Sequence, residues 1–291
     1  MTKTRIEAIN FFAQKQNTEL SFSFIFSSRN PGPKIVIIGG VHGNEPVGVE
    51  AIIKIQDQIQ NLKNGEITFI LGNPLAYLED VRFISSNLNR CFVKDYPKDY
   101  EGFRAKEITD FLRKYKPDYL LDLHSVSIGN TQMEIHKNKN KIVRSLINQD
   151  FMQIVVNQKA MKGSSIQLKF LENTMGVECG NHNSSTGLSV AIFKIKQLLN
   201  YFQMAEFILE KTVSSSNFVA YQLIEPIIPR LEFKFTNPDI ASEIFVKKGE
   251  VYAKSKNGDI VASVDSYILM PCPNPKITDT DAGFLAKKVA F

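Results

Sequence analysis

The chain reads as an α/β protein with a largely parallel sheet flanked by helices, followed by a smaller β-rich part. Three observations carry this reading. Short β-branched runs have the length of buried strands, and between them lie stretches whose apolar residues recur at three- and four-residue spacing. Beyond residue 213 the texture changes to short apolar runs broken by Pro226, Pro229, Pro238, Gly249, Gly258 and Pro271. We therefore expect a catalytic α/β domain over residues 1–213 and a β-rich domain over residues 214–291 that shapes access to its site.

Taken in order, residues 19–26 predict an edge strand in which Phe22, Phe24 and Phe26 alternate, ended by the turn Asn30-Pro31-Gly32-Pro33. The run Lys34-Ile35-Val36-Ile37-Ile38 predicts a buried strand. Pro46 suits a first helical position, and Val49, Ile52, Ile53, Ile55 and Ile59 supply the apolar stripe of a helix to about Asn61. Residues 66–71 predict a second strand, and a long polar loop follows it. Residues 101–115 form an amphipathic helix stopped by Pro117, and its Arg104, Lys106, Arg113, Lys114 and Lys116 read as a solvated face. Asp118-Tyr119-Leu120-Leu121-Asp122-Leu123-His124-Ser125 is a buried strand ending in polar residues. Further strands fall at 132–136, 153–156 and 175–178, with a helix at 139–148 and a long one from 184 to about 213. Lys247-Lys248-Gly249-Glu250 and Lys256-Asn257-Gly258-Asp259 read as hairpin turns.

With 291 residues, 32.9 kDa and 43% hydrophobic residues, the chain can bury a sizeable core. Its net charge of +5 comes from scattered lysines without a basic block, which points away from nucleic acid and toward a small anionic substrate. Cys91, Cys179 and Cys272 form neither a CxxC pair nor a disulfide framework, which fits a reducing cytoplasm. The N-terminal residues have no apolar signal core, and no run approaches the roughly 18 apolar residues of a membrane helix. The expectation is a soluble cytoplasmic protein without a membrane or nucleic-acid partner, its association with further copies left open.

The strand-to-helix corner Gly39-Gly40-Val41-His42-Gly43-Asn44-Glu45-Pro46 carries the chemistry. It lacks the Gly-Lys-Ser/Thr of a phosphate loop. His42 and Glu45 are three residues apart, within reach of one cation. In open α/β sheets ligands bind beyond the carboxyl ends of strands, which brings this loop together with the Asn73 and Arg82 loop and with His124. His42, Glu45 and His124 make the ligand set of a catalytic zinc, one position left for water. Asp122 points to the same side of its strand as His124 and would hold its second nitrogen. Glu178, at the end of a fourth strand, suits a general base, and Arg82 and Arg90 offer forks for a carboxylate or oxyanion, with Asn89 adding an amide. Asn73 joins Asn89 and Arg90 as a candidate for substrate binding. His136 reads as a surface or half-buried histidine and His182 as a loop residue. Cys91 and Cys179 read as small packing groups.

His42-Gly43-Asn44-Glu45, Asn73-Pro74, Arg82, Leu88-Asn89-Arg90, Asp122-Leu123-His124 and Val177-Glu178 occur in the order found in the succinylglutamate desuccinylase and aspartoacylase family, which this chain resembles over most of residues 34–190. The resemblance implies a zinc-carboxypeptidase-like mixed sheet, one zinc per chain, and hydrolysis of a small N-acyl amino acid by metal-activated water. It implies His42, Glu45 and His124 as zinc ligands, Glu178 as general base then acid, Arg82 as oxyanion stabiliser, and Asn89 with Arg90 as a clamp on a substrate carboxylate. Three departures stand out: Asn87 where aspartoacylases have an aspartate, Leu168 in place of a second carboxylate-binding arginine, and no match to a C-terminal tyrosine. They keep two alternatives open, a zinc carboxypeptidase acting on short peptides and a non-catalytic small-molecule-binding relative.

Overall fold

A computed structural model of the chain describes residues 2–59, 61–126, 129–157, 159–182, 184–209, 218–240, 242–277 and 280–291. In chain order the strands are β1 (Ser23–Ser27), β2 (Lys34–Gly39), β3 (Glu66–Leu71), β4 (Tyr119–Val126), β5 (Met133–His136), β6 (Met152–Val155), β7 (Thr174–Asn181), β8 (Ala220–Pro226), β9 (Lys234–Phe235), β10 (Ile244–Val246), β11 (Val251–Ser255), β12 (Gly258–Val261), β13 (Ser266–Leu269) and β14 (Phe284–Lys288). The helices are α1 (Thr2–Lys15), α2 (Val47–Ile55), α3 (Pro74–Leu78), α4 (Tyr100–Tyr115), α5 (Lys141–Leu146) and α6 (Ser185–Tyr201).

The continuous apolar run of β2 belongs at the centre of a sheet covered on both faces, and that is where it lies. β3, β2, β4 and β7 are neighbours and parallel. Ile35 and Ile37 pack with Ile52 and Ile55 of α2 and Val190 and Ile195 of α6, whereas Val36 and Ile38 pack with Ile108 and Leu112 of α4. The alternation of side chains along a strand sends successive residues to opposite cores. The full order is β1-β3-β2-β4-β7-β5-β6-β8-β14-β13-β10, mixed because β5 runs antiparallel to β7 and every pairing from β8 to β10 is antiparallel. The C-terminal strands thus extend the main sheet through β6 and β8, and they also build a core of their own around Phe233, Phe235, Tyr252 and Ile268, beside the small sheet β12-β11-β9.

Several expectations are corrected. The sequence pattern assigns no element to residues 2–15, yet they form α1, whose Ala8 and Phe12 are buried in the same cluster as α2 and α6. The long C-terminal helix stops at Tyr201 instead of running on to residue 213. Gln203 takes φ +56, Met204 N–H returns to the Leu199 carbonyl at 2.9 Å, and the Asn200 amide bonds both polar atoms of the Phe207 backbone at 2.8 Å. Residues 210–213 lie outside the described residues. The turn at residues 247–250 joins β10 to β11 in different sheets and closes no hairpin, whereas residues 256–257 do connect the paired β11 and β12.

Arg104 is 3% exposed and not solvated: it donates to the carbonyls of Leu71, Gly72 and Ser21 at 2.9–3.0 Å. His136 is wholly buried, bonded through Nε2 to Gln153 at 2.8 Å. Cys91 and Cys179 are buried and unbridged, their thiols pushed up by burial. Among the described residues no helix is long and apolar enough to cross a membrane.

Candidate metal centre

The site forms where the parallel strands end. β2 stops at Gly39, Gly40 turns the chain with φ +69, and Gly43 passes so close to α3 that a Cβ there would sit 2.1 Å from the carbonyl carbon of Ala76. The loop is pinned from several sides. Gly72 and Asn73 N–H groups donate to the Gly39 and Gly40 carbonyls at 2.9 Å, Gly43 N–H donates to Arg82 O at 3.2 Å, and Arg5 of α1 donates to the carbonyls of Gly43 and Tyr77 at 2.7 Å.

His42 and His124 meet on either side of Glu45. His42 Nδ1 lies 2.7 Å from Glu45 Oε1 and His124 Nδ1 lies 2.9 Å from Glu45 Oε2. One ligand atom from each of the three residues falls within 4.8 Å of the others, all three residues are buried, and this is a group able to hold a metal ion. The outward nitrogens fit that use: His42 Nε2 is 3.1 Å from Asn87 Oδ1, and His124 Nε2 is 3.1 Å from Asp122 Oδ2. Acceptors on both Nε2 atoms favour the tautomer whose Nδ1 lone pair faces the cluster. Burial and the Arg82 charge push His42 down to about 4. Burial opposes ionisation of Glu45 and of His124, but the histidines hold Glu45 well below the usual carboxylate range, and Asp122 with Glu45 lifts His124 well above its ordinary value.

Glu178 stands across the β4–β7 ladder from His124, its register partner. One of its carboxylate oxygens is buried with no hydrogen-bond partner among the described residues, and burial followed by the Glu45 charge raises its pKa to about 7. Arg82 is the exposed cation of the site: its Nη1 donates to Glu45 at 3.1 Å and its side chain is 44% exposed.

The remaining sequence candidates take scaffold positions. Asn73 is fully buried, caps α3 through Ala76 N–H and donates to Glu101 at 3.2 Å. Asn89 is buried and accepts from Ser165 N–H at 3.1 Å, while the Ser165 hydroxyl donates to Asp122. Asn87 faces His42 Nε2 and accepts from the N–H of Asn89. Arg90 instead grips Asp281. Asp281, Ser165 and Arg5 are the residues sequence reading missed. Nothing local marks the first two, and Arg5 lies in an N-terminal stretch to which the sequence pattern assigns no element. Leu168 is buried and Lys169 exposed.

Proteins of known structure share this fold. Succinylglutamate desuccinylase from Vibrio parahaemolyticus superposes with TM-score 0.71 at 20% identity, covering 92% of this chain and 86% of that one. Murine aminoacylase 3 superposes with TM-score 0.64 at 18% identity, covering 90% of this chain and 97% of that one. The likeness is one of fold, the zinc-carboxypeptidase-like α/β architecture. The sequence takes the assignment further, since the model of the succinylglutamate desuccinylase/aspartoacylase catalytic domain matches residues 31–179, and the chain belongs to that family. A probable aspartoacylase from a Nostoc species is 36% identical over 104 residues, 32% of this chain and 35% of the relative. An N-acyl-aromatic-L-amino acid amidohydrolase (carboxylate-forming) from Danio rerio is 31% identical over 117 residues, 35% of this chain and 37% of the relative. The chain thus matches about a third of the length of these curated relatives.

Proposed function

We propose that the protein is a zinc-dependent hydrolase that cleaves the amide bond of a small N-acyl amino acid. The observation that carries this is the buried His42-Glu45-His124 group with Glu178 beside it in register, one carboxylate oxygen of Glu178 having no hydrogen-bond partner among the described residues. Family membership and the names of the relatives support the same reaction class.

His42, Glu45 and His124 would hold one zinc, oriented from behind by Asn87 and Asp122. A bound zinc would supply the positive charge that polarises an acyl carbonyl and acidifies water. Glu178 takes the proton of the attacking water on its carboxylate and passes it to the leaving amine nitrogen, a task suited to a carboxyl that titrates near neutrality. Arg82 keeps a donor fork beside Glu45 for the developing oxyanion. The strands after residue 214 would restrict the mouth to small substrates, and nothing about the site asks for nucleic acid or a membrane as partner.

The test is to purify the protein without added metal, measure bound zinc, and assay N-acyl amino acids beside short peptides. Glu178→Gln should retain the zinc and lower kcat by about 100-fold or more, the usual worth of a general base. A wild type that binds no zinc, or an unimpaired Glu178→Gln, overturns the reading, and preference for peptides makes the protein a carboxypeptidase instead.

A further inference from the structure

One buried guanidinium outside the metal cluster holds two of the loops that build it. Arg5 Nη1 donates to the carbonyls of Gly43 and Tyr77 at 2.7 Å, and Nη2 donates to Asp80 Oδ1 at 2.5 Å. Its Cζ also lies 4.6 Å from the centre of the Tyr77 ring. Gly43 sits between His42 and Glu45 in the chain. Tyr77 belongs to α3, and Asp80, at φ +55, makes the turn from which the chain reaches Arg82. Arg82 comes back to the same corner twice. Its carbonyl accepts from Gly43 N–H at 3.2 Å, and its Nη1 donates to Glu45 at 3.1 Å. These contacts close a ring that runs from Gly43 through Arg5 and Asp80 to Arg82 and back to Gly43.

We propose that Arg5 is a positioning residue of the reaction, which fixes the spacing of His42 and Glu45 and sets Arg82 beside them. The proposal rests on the reading of the site as a zinc-dependent amide hydrolase. Gly43 has no side chain, so the corner between the two ligands can be held there only through its backbone, and Arg5 takes the carbonyl while Arg82 takes the N–H. The planar fork of an arginine suits the task, because its two terminal nitrogens serve two carbonyls and a carboxylate at fixed angles; a lysine ammonium is a point charge without that geometry. A ligand set tolerates misplacement of only about 0.5 Å, so a contact that never touches metal or substrate still governs both affinity and rate. Arg5 acts on the two loops at once, which couples the placing of the ligands to the placing of the Arg82 fork.

Three variants test this. In a chelator competition Arg5→Met should bind zinc about tenfold more weakly than wild type, and its kcat should fall about tenfold or more with KM kept within about threefold. Arg5→Lys, which keeps a cation but no fork, should fall between the two, about threefold or more below wild type in both measures. Phe12→Leu is the control for loosened helix packing, since Phe12 is buried against Phe24 about two turns further along α1. It should lower the melting temperature and leave zinc affinity and kcat unchanged at temperatures well below melting. Wild-type zinc affinity and kcat in Arg5→Met overturn the proposal, as does a Phe12→Leu that loses both to the same extent. If Arg5→Met does not fold, wild-type values in Arg5→Lys overturn it. A further readout needs no zinc: in the metal-free protein Arg5→Met, or Arg5→Lys in its place, should speed amide hydrogen exchange in residues 42–45 and 80–82 by about tenfold, and Phe12→Leu should not. Unchanged exchange there overturns the proposal. A wild type that binds no zinc and hydrolyses no amide refutes the proposed function, and faster exchange in those two segments then leaves the hold of Arg5 on the corner standing.

Discussion

Asp122 does its work through other residues. Its Oδ2 faces His124 Nε2 and takes the Ser165 hydroxyl, and Ser165 N–H is held in turn by Asn89. A ligand imidazole fixed in this way keeps its ring angle and its basicity, which is worth about 10- to 100-fold in metal affinity at comparable sites. Asp122→Ala should therefore weaken zinc binding by about that factor in a chelator competition, with the fold kept as judged by circular dichroism. The loss should come mainly from affinity, because the three ligands remain. Gly43 is decisive for a steric reason. A Cβ there would enter the backbone of Ala76 and Tyr77, which cannot step aside as a flexible side chain could. We expect Gly43→Ala to cost about 2 kcal/mol or more in urea denaturation, in the range of overpacked interiors.

At the scale of the element, α4 does more than cover a sheet face. Glu101 in its first turn accepts from the N–H groups of Ile84, Ser85 and Ser86 at 2.6, 3.0 and 3.2 Å, and from Asn73. One buried carboxylate thus orders the loop that bears Arg82. Arg104, a turn further on, does the same for the end of β3. Glu101→Ala would strip these loop N–H groups of their acceptor and leave the buried Asn73 amide unpaired, the latter at about 1–3 kcal/mol. Thermal unfolding should show the destabilisation, and limited proteolysis should cut first within residues 79–87. A loop that stays protected in Glu101→Ala would mean it is ordered by other contacts. Sequence reading placed the start of α4 within one residue of its observed place but took Arg104 for a solvated charge, because periodicity shows which residues are apolar and not which backbone carbonyls lack donors.

Across the whole molecule, the β5–β6 region is tied to α6 by a buried ion pair. Lys194 Nζ reaches Glu134 at 2.6 Å and the Leu146 carbonyl at 2.9 Å, and Glu134 also accepts from Asn148 N–H and Gln153. Removing one partner of such a pair leaves a buried charge, usually at 3–5 kcal/mol, so Lys194→Met should lower the melting temperature sharply, by about ten degrees or more. Adding Glu134→Gln should recover part of the loss, since the amide carries no charge and still accepts hydrogen bonds. β8, β14, β13 and β10 continue the same sheet, and the segment before β14 brings Asp281 back to Arg90 across 191 positions of sequence.

The sequence by itself determined the parallel centre of the sheet, the corner that bears His42 and Glu45, and the three residues that form a group able to hold a metal ion. β-branched runs, glycine-rich corners and the rule that sites lie at carboxyl strand ends are local or topological signals, and His42, Glu45, His124 and Glu178 follow from them. The tertiary structure alone decided what the remaining polar residues do. Asn73 and Asn89 turned inward to scaffold bonds, Asn87 to His42, and Arg90 to Asp281. The physical reason is that a buried donor or acceptor takes whichever partner the packing brings within about 3 Å, and that partner can lie anywhere along the chain.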